Sequence, residues 1–238
     1  MPRGHLINPV CIRSMPNPRS KIERRLGLLA MLAVALALLL AGRPSFTNAS
    51  RPPRGLSTTI VAMEMVRSVE EVDLILGDAP SPDREVMRIK EYVDFAFLTA
   101  FLGFFLALGL VMARSPGWDR AAGIAAAICA VGTAAFGISQ NLAILRILDV
   151  PLYQTTAGML NAIRSASAAK WALLGITSLL LSRYFLRTPG WPRRAVGALL
   201  ALSGALDLGG LYANILLDWS GIPTLAGLLG AAIVLIWF

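Results

Sequence analysis

Residues 93–113 read VDFAFLTAFLGFFLALGLVMA, a run of 21 residues with one charged side chain, Asp94. At about 1.5 Å per residue a helix of this length measures about 31 Å, which matches the hydrocarbon core of a bilayer. The run lacks the alternation of apolar and polar residues found in membrane barrels. We therefore predict a transmembrane helix, and the rest of the chain follows the same pattern.

The composition rules out an ordinary soluble domain. Of the 238 residues 56% are hydrophobic and 15% charged, whereas soluble domains have about 45–50% and about 25%. Five further apolar runs are long enough to cross a membrane or nearly so, at residues 26–41, 121–144, 166–181, 195–217 and 222–238. The sequence predicts an all-α, polytopic membrane helical bundle of about six transmembrane helices.

The net charge of +8 indicates orientation rather than nucleic-acid binding. Residues 1–25 hold six basic side chains, and the two short loops after residues 113 and 181 hold six more. All twelve lie on one side of the predicted bundle, as the positive-inside rule requires of the cytoplasmic side. We expect a multi-pass protein of the cell membrane with both termini in the cytoplasm and residues 43–92 outside it.

This topology divides the chain into segments. We predict a basic cytoplasmic tail (1–25), a signal anchor that is also the first transmembrane helix (26–42), and an extracytoplasmic linker with a short helical part (43–92). A cleaved signal peptide is the alternative for the first apolar run. Within 43–92, the stretch 58–66 is ambiguous between strand and helix. Ser68 and Glu71 form a capping box for a helix that ends at Gly77. A second helix begins at Pro82 and continues to about Ala113.

An internal repeat follows, with one helical hairpin at 93–145, a second at 146–218, and a last transmembrane helix at 219–238. Residues 114–120 read RSPGWDR and residues 187–193 read RTPGWPR, at an offset of 73 that also pairs Asn141 with Asn214. Convergence is the alternative, because Pro-Gly turns, interfacial Trp and cytoplasmic Arg recur independently. The repeated turn residues are Arg114, Pro116, Gly117, Trp118, Arg120, Arg187, Pro189, Gly190, Trp191 and Arg193.

Polar side chains within the spans are expensive in lipid and so mark a candidate site. The candidate polar cluster comprises Asp94, Gln140, Asn141, Lys170, Asp207 and Asn214. All but Asp207 are expected in the outer leaflet, and repeat symmetry predicts an ion pair between Asp94 and Lys170. In the structural alternative, Asp94 pairs with Lys90 one turn earlier, Lys170 snorkels beside Trp171, and the Asn side chains bond neighbouring helices.

The sequence predicts no catalytic residue, metal site or cofactor. It contains one histidine, His5, and two cysteines, Cys11 and Cys129, with no ligand spacing, and it has no nucleophile elbow or phosphate loop. Two functions remain: an accessory membrane protein that docks a partner through its extracytoplasmic helical segment, or a small transporter that uses Asp207 and the polar cluster. A transporter of this size is expected to need a homo-oligomer. A membrane enzyme is the weakest alternative.

Overall fold

The computed structural model describes residues 18–47, 56 and 58–237, and all regular structure in these ranges is helical. The basic tail up to residue 17 and residues 48–55 of the linker lie outside them. The described ranges contain α1 (Pro18–Ala41), α2 (Thr59–Glu64), α3 (Val69–Leu76), α4 (Pro82–Met112), α5 (Trp118–Leu148), α6 (Ala157–Arg187), α7 (Trp191–Gly210) and α8 (Ile215–Trp237). A 3₁₀ turn, Leu152–Gln154, precedes α6.

Five helices are long and apolar enough to cross a membrane, so the predicted all-α, multi-pass membrane fold is confirmed at that level. They are α1 from Lys21, α4, α5, α6 and α8. Helix α7 has 20 residues and carries three charges, Arg193, Arg194 and Asp207.

The six long helices form a closed ring. Each of them packs against the next long helix along the chain, and α8 returns to pack against α1. Inside the ring lies a hydrophobic core rich in aromatic residues from α4, including Phe101, Phe104 and Phe105. A ring of this kind positions side chains from non-consecutive helices around a common interior.

Glycines set the closest approaches between neighbouring helices. A Cβ atom added to Gly109 in α4 would lie 2.9 Å from the carbonyl oxygen of Gly123 in α5. A Cβ atom added to Gly204 in α7 would lie 2.6 Å from the carbonyl oxygen of Gly175 in α6. No side chain fits at these distances, so the small residues allow backbone-to-backbone packing of the kind common between membrane helices.

Helices α2 and α3 form a cap over one end of the ring. Residues 58–66, ambiguous in the sequence, contain helix α2, whose Met63 is fully buried. The predicted cap at Ser68 is confirmed, since its hydroxyl accepts the backbone N–H of Glu71 at 3.3 Å. Val72 and Leu76 of α3 are fully buried in a second hydrophobic core, shared with the ends of α5 and α6. The apolar face of the predicted extracytoplasmic helix therefore packs against the bundle itself.

Two basic residues of α4 bind the C-terminal ends of other helices: Arg84 joins the cap to the ring, and Lys90 joins α4 to α1. The guanidinium of Arg84, 2% exposed, donates to the carbonyl oxygens of Gly77, Ile147 and Val150 at 3.0, 3.0 and 2.7 Å. The ammonium of Lys90 donates to the carbonyl oxygens of Leu40 and Gly42 at the end of α1. Cations are favourable at these positions, where helix carbonyl groups lack partners.

The cap is also joined to the loop before α6 by a carboxylate. Asp78 accepts the backbone N–H groups of Leu152 at 2.9 Å and of Ala79 at 2.8 Å. These hydrogen bonds hold the pKa of the Asp78 carboxyl below its usual value, the bond from Leu152 contributing most.

The boundary between the last two long helices differs from the prediction. We expected one helix over 195–217 and another from 222, but α7 ends at Gly210 and α8 begins at Ile215. The predicted break at 218–221 lies inside α8, which also passes through Pro223. Asp207 consequently lies three residues from the end of α7, at the capped end of the ring.

The two Pro-Gly-Trp turns lie at the opposite end. Gly117 and Gly190 precede α5 and α7 with φ values of 67° and 110°, a region that glycine adopts without strain. Trp118 and Trp191 are 78% and 80% exposed. Between the turns, Asp119 pairs with Arg183 at 2.6 Å and with Arg187 at 2.9 Å.

Candidate functional site

A buried ion pair joins the cap to the ring. Glu64, the last residue of α2, accepts the ammonium of Lys170 in α6 at 2.8 Å and the indole N–H of Trp171 at 2.8 Å. The Glu64 and Lys170 side chains are 6% and 7% exposed, and the Lys170 ammonium lies 4.8 Å from the centre of the Trp171 ring. This arrangement inserts an acidic side chain from the cap into the helical bundle.

The predicted ion pair between Asp94 and Lys170 is therefore replaced by one with Glu64. Asp94 instead accepts the side-chain amide of Asn141 in α5 at 2.8 Å. Its predicted alternative partner, Lys90, binds the carbonyl oxygens at the end of α1. Sequence separation hid the actual partner, because Glu64 belongs to a separate helix 106 residues from Lys170.

Two further acids lie near the same lysine. Glu91, one turn before Asp94, is 2% exposed and interacts electrostatically with Glu64, Asp94 and Lys170. Asp207 in α7 is 0% exposed and also lies within electrostatic range of Lys170. Lys170 thus interacts with four carboxyl groups, contributed by α2, α4 and α7, whereas the neighbouring buried cation, Lys90, bonds the end of α1.

Several buried acceptor atoms around this lysine have no hydrogen-bond partner within the described residues. Ser220 in α8 lies beside the Asp207 carboxyl group, but its hydroxyl donates to the Leu217 carbonyl oxygen at 2.9 Å. In native proteins nearly all buried polar atoms are satisfied, so a concentration of unpaired acceptors has a specific reason. The unpaired atoms are Oε2 of Glu91, Oε1 of Gln140, Oδ1 of Asn141, Oγ of Ser167, and both carboxylate oxygens of Asp207.

A glycine provides room for the lysine. A Cβ atom added to Gly137 in α5 would lie 2.9 Å from Leu98 and 3.6 Å from Cδ of Lys170. The aliphatic chain of Lys170 therefore crosses α5 where α5 has no side chain. Gly137 therefore makes room for the Lys170 side chain at the interface between α5 and α6.

An apolar pocket of about 280 Å³ adjoins the acidic cluster. Its walls come from α1, α4, α6 and α8, and include Phe97, Phe101, Trp171, Ser220 and Gly221. The rings of Phe97 and Phe101 stack at 5.1 Å between centroids. Trp171 and Ser220 belong to both features, since one donates to Glu64 and the other lies beside Asp207.

The remaining predicted residues divide in two. Asn141, 0% exposed, bonds Asp94 of the acidic cluster, and Gln140 beside it in α5 is 1% exposed, whereas Asn214 occupies the turn between α7 and α8. Asn214 instead lines a separate open depression of about 640 Å³ together with Arg67 and Asn161. Two members of the acidic group, Glu64 and Glu91, were missed. Glu64 had a signal, because it is the only charged residue in the stretch 56–66.

Comparison of the chain with protein-family models, curated proteins and solved structures finds no match. Within residues 18–47, 56 and 58–237, no three His, Cys, Asp or Glu side chains are arranged to hold a metal ion. The chemistry available at the site is therefore that of its carboxyl groups, one ammonium group and an aromatic pocket.

Proposed function

We propose that the protein is a small membrane transporter in which the buried carboxyl groups around Lys170 couple proton binding to movement of a solute. The observation that carries the proposal is the excess of acids in an apolar interior: four carboxyl groups surround one lysine, and two of them retain unpaired oxygens. A buried carboxyl group without a partner takes up a proton or attracts a cation. Such groups within membrane helices are characteristic of proton relays and substrate pathways.

A purely architectural role does not account for this cluster. Burying charge in a bilayer costs several kcal/mol on insertion scales, and apolar residues of similar volume pack as well or better. The glycine contacts between α4 and α5 and between α6 and α7 already provide close packing. The cluster therefore adds cost without adding packing, which favours a functional reason for it.

We further propose that α7 is a sixth transmembrane helix and that the capped end faces out of the cytoplasm. Helix α7 packs between α6 and α8 in the ring, and the basic side chains of both Pro-Gly-Trp turns gather at the other end. With Cys11 and Cys129 replaced by serine, Glu70→Cys should react with an impermeant thiol reagent in intact cells, while Ser115→Cys should not. The reverse labelling pattern would overturn this orientation.

The internal repeat also remains a proposal, supported by three correspondences. Helices α4 and α6 both have 31 residues, and α5 and α7 begin at Trp118 and Trp191, 73 positions apart. The carbonyl oxygens of Gly109 and Ser182, also 73 apart, each face a glycine of the following helix, although these glycines, Gly123 and Gly197, are 74 positions apart. An experimentally determined structure tests the duplication, which fails if the two hairpins do not superpose with Trp118 on Trp191.

The docking role, the other function predicted from sequence, has less support. Val72, Ile75 and Leu76, in the segment predicted to dock a partner, pack against the ends of α5 and α6. A partner outside the membrane would have to bind the polar outer face of the cap. The proposed transporter instead uses the cap as a lid that places Glu64 against Lys170.

Proton coupling can be measured in proteoliposomes containing an entrapped pH-sensitive dye. Purified protein is reconstituted, a pH gradient is imposed, and benzyltrimethylammonium, lactate, alanine and glucose are added in turn. We expect at least one of these solutes to accelerate collapse of the gradient relative to protein-free vesicles. Asp207→Asn should abolish the acceleration, because it removes an acid that is 0% exposed.

Glu70→Gln is the matched control, since it removes an exposed acid of α3 while leaving the buried cluster intact. It should behave as the unchanged protein does. If none of the four solutes alters the gradient, or if Asp207→Asn and Glu70→Gln give equal rates, the proposed coupling is wrong.

A further inference from the structure

The pocket between α1, α4, α6 and α8 identifies the class of solute. It is lined mostly by apolar and aromatic side chains, with the hydroxyl-bearing Ser220 and Thr224 in one wall, and among its described lining residues none is charged. Three rings, those of Phe97, Phe101 and Trp171, contribute to its walls. Aromatic faces carry negative partial charge and attract cations, so walls of this kind accept an organic cation as well as a neutral apolar group.

The neighbouring charges favour an organic cation over a neutral apolar group. Trp171 donates its indole N–H to Glu64, and Ser220 lies beside Asp207, so two pocket residues contact acids of the cluster. Four carboxyl groups against one ammonium group leave the region negative when the acids are ionised, which repels anions and favours cations. Both carboxylate oxygens of Asp207 and one of Glu91 are unpaired and almost completely buried, and so remain available to an incoming positive charge.

A bare metal ion suits this site poorly. The described residues contain no metal-holding group of acids, and the side-chain oxygens in the pocket walls are the two hydroxyls of Ser220 and Thr224, too few for a hard cation that takes six or more oxygen ligands. An ammonium ion with an aromatic or short aliphatic body suits both the apolar pocket and the acidic cluster. Its body fills the pocket, and its charge replaces a proton on the neighbouring acids.

Resting on the proposed transport function, we propose that the pocket binds a small lipophilic ammonium cation in exchange for protons from the acidic cluster. No covalent bond forms or breaks. The cation enters the pocket, the acids release protons, and charge in the interior stays balanced. Binding should therefore strengthen as the pH rises.

The test uses purified protein in detergent and three probes of similar size: benzyltrimethylammonium, its neutral isostere neopentylbenzene, and benzenesulfonate. Binding is followed by titration calorimetry and by tryptophan fluorescence. We expect the cation to bind at least about tenfold more tightly than either control, a difference of about 1.4 kcal/mol. Equal binding of the neutral isostere would overturn the proposal.

Two pairs of variants assign the site. Asp207→Asn should weaken cation binding, whereas Glu70→Gln, an exposed acid, should leave it unchanged. Gly221→Leu should block the pocket, because Gly221 lines it and a Cβ there meets open space. Gly103→Leu is its control: a Cβ at Gly103 also meets open space, but Gly103 lines a different groove. The two leucine variants keep the test valid if Asp207→Asn does not fold, and binding unaffected by Gly221→Leu would overturn the assignment.

The outcomes separate this inference from the proposed function. Proton-coupled flux with lactate, alanine or glucose, but no cation binding, would refute the substrate class and leave the transporter standing. Cation binding blocked by Gly221→Leu, without any proton flux in vesicles, would support the binding site and refute transport.

Discussion

The ion pair between Glu64 and Lys170 provides the most direct test of how the cap and ring cooperate. The two charged atoms lie 2.8 Å apart, and the side chains are 6% and 7% exposed. At an effective dielectric constant of about 20, two unit charges at this distance attract by about 6 kcal/mol. Desolvation costs several kcal/mol for each ion and offsets most of that attraction, so the intact pair contributes little net stability.

Replacing one member of the pair should lower the free energy of unfolding, and the loss should be larger for Lys170 than for Glu64. Lys170→Met leaves four buried carboxyl groups without a cation and should lower the free energy of unfolding by about 3–5 kcal/mol. Glu64→Gln should cost less, because Lys170 still interacts with Glu91, Asp94 and Asp207. We expect the double variant to be less destabilised than the sum of the two, with a coupling energy of about 2 kcal/mol, as for residues in contact.

The assay is a double-mutant cycle, with reversible unfolding followed in detergent by tryptophan fluorescence. Arg88 and Asp149, whose charged atoms lie 2.9 Å apart with side chains 26% and 63% exposed, form the matched control pair. An exposed pair of this kind should give a coupling energy of about 0.2–1 kcal/mol. The reasoning is refuted if the coupling for Glu64 and Lys170 is no larger, or if Lys170→Met costs no more than Glu64→Gln.

Two further predictions concern packing and pH. Gly204→Ala should destabilise the protein by about 1–3 kcal/mol, because its Cβ would lie 2.6 Å from the carbonyl oxygen of Gly175; Gly103→Ala, whose Cβ meets open space, should be neutral or slightly stabilising. Thermal unfolding of both variants in detergent checks this, and equal melting temperatures would contradict it. The Asp78 carboxyl has a lowered pKa in the folded protein. The stability that it contributes is therefore fully present above its unfolded pKa of about 3.9 and is lost as the pH falls through its pKa in the folded protein. Melting curves from pH 6 to pH 3 should show a steeper acid-side loss for the unchanged protein than for Asp78→Asn, and parallel losses would show that the bond to Leu152 contributes nothing.

Local patterns in the sequence were sufficient for the helices. The apolar runs, the Pro at the start of α4 and the Ser68 cap act through neighbouring residues, so the helix from Ser81 to about Ala113 was predicted to within a residue or two. The same reasoning failed at 218–221, where it predicted a break between two helices. Helix α8 runs through this stretch and through Pro223, and its packing against α7 and α1 is not visible in the local sequence.

The candidate site required the tertiary structure. The sequence identified Asp94, Asn141, Lys170 and Asp207 as polar residues that are costly in a membrane. It paired Lys170 with Asp94, because repeat symmetry was the only link between their helices that the sequence offered. The actual partner, Glu64, reaches Lys170 because α2 folds back over the ring, driven by burial of its own apolar side chains. Composition and periodicity determine that this chain enters a membrane as helices, since those depend on each residue and its near neighbours. Which charges meet inside depends on how helices far apart in sequence pack, and that was decided by the closed ring and its cap.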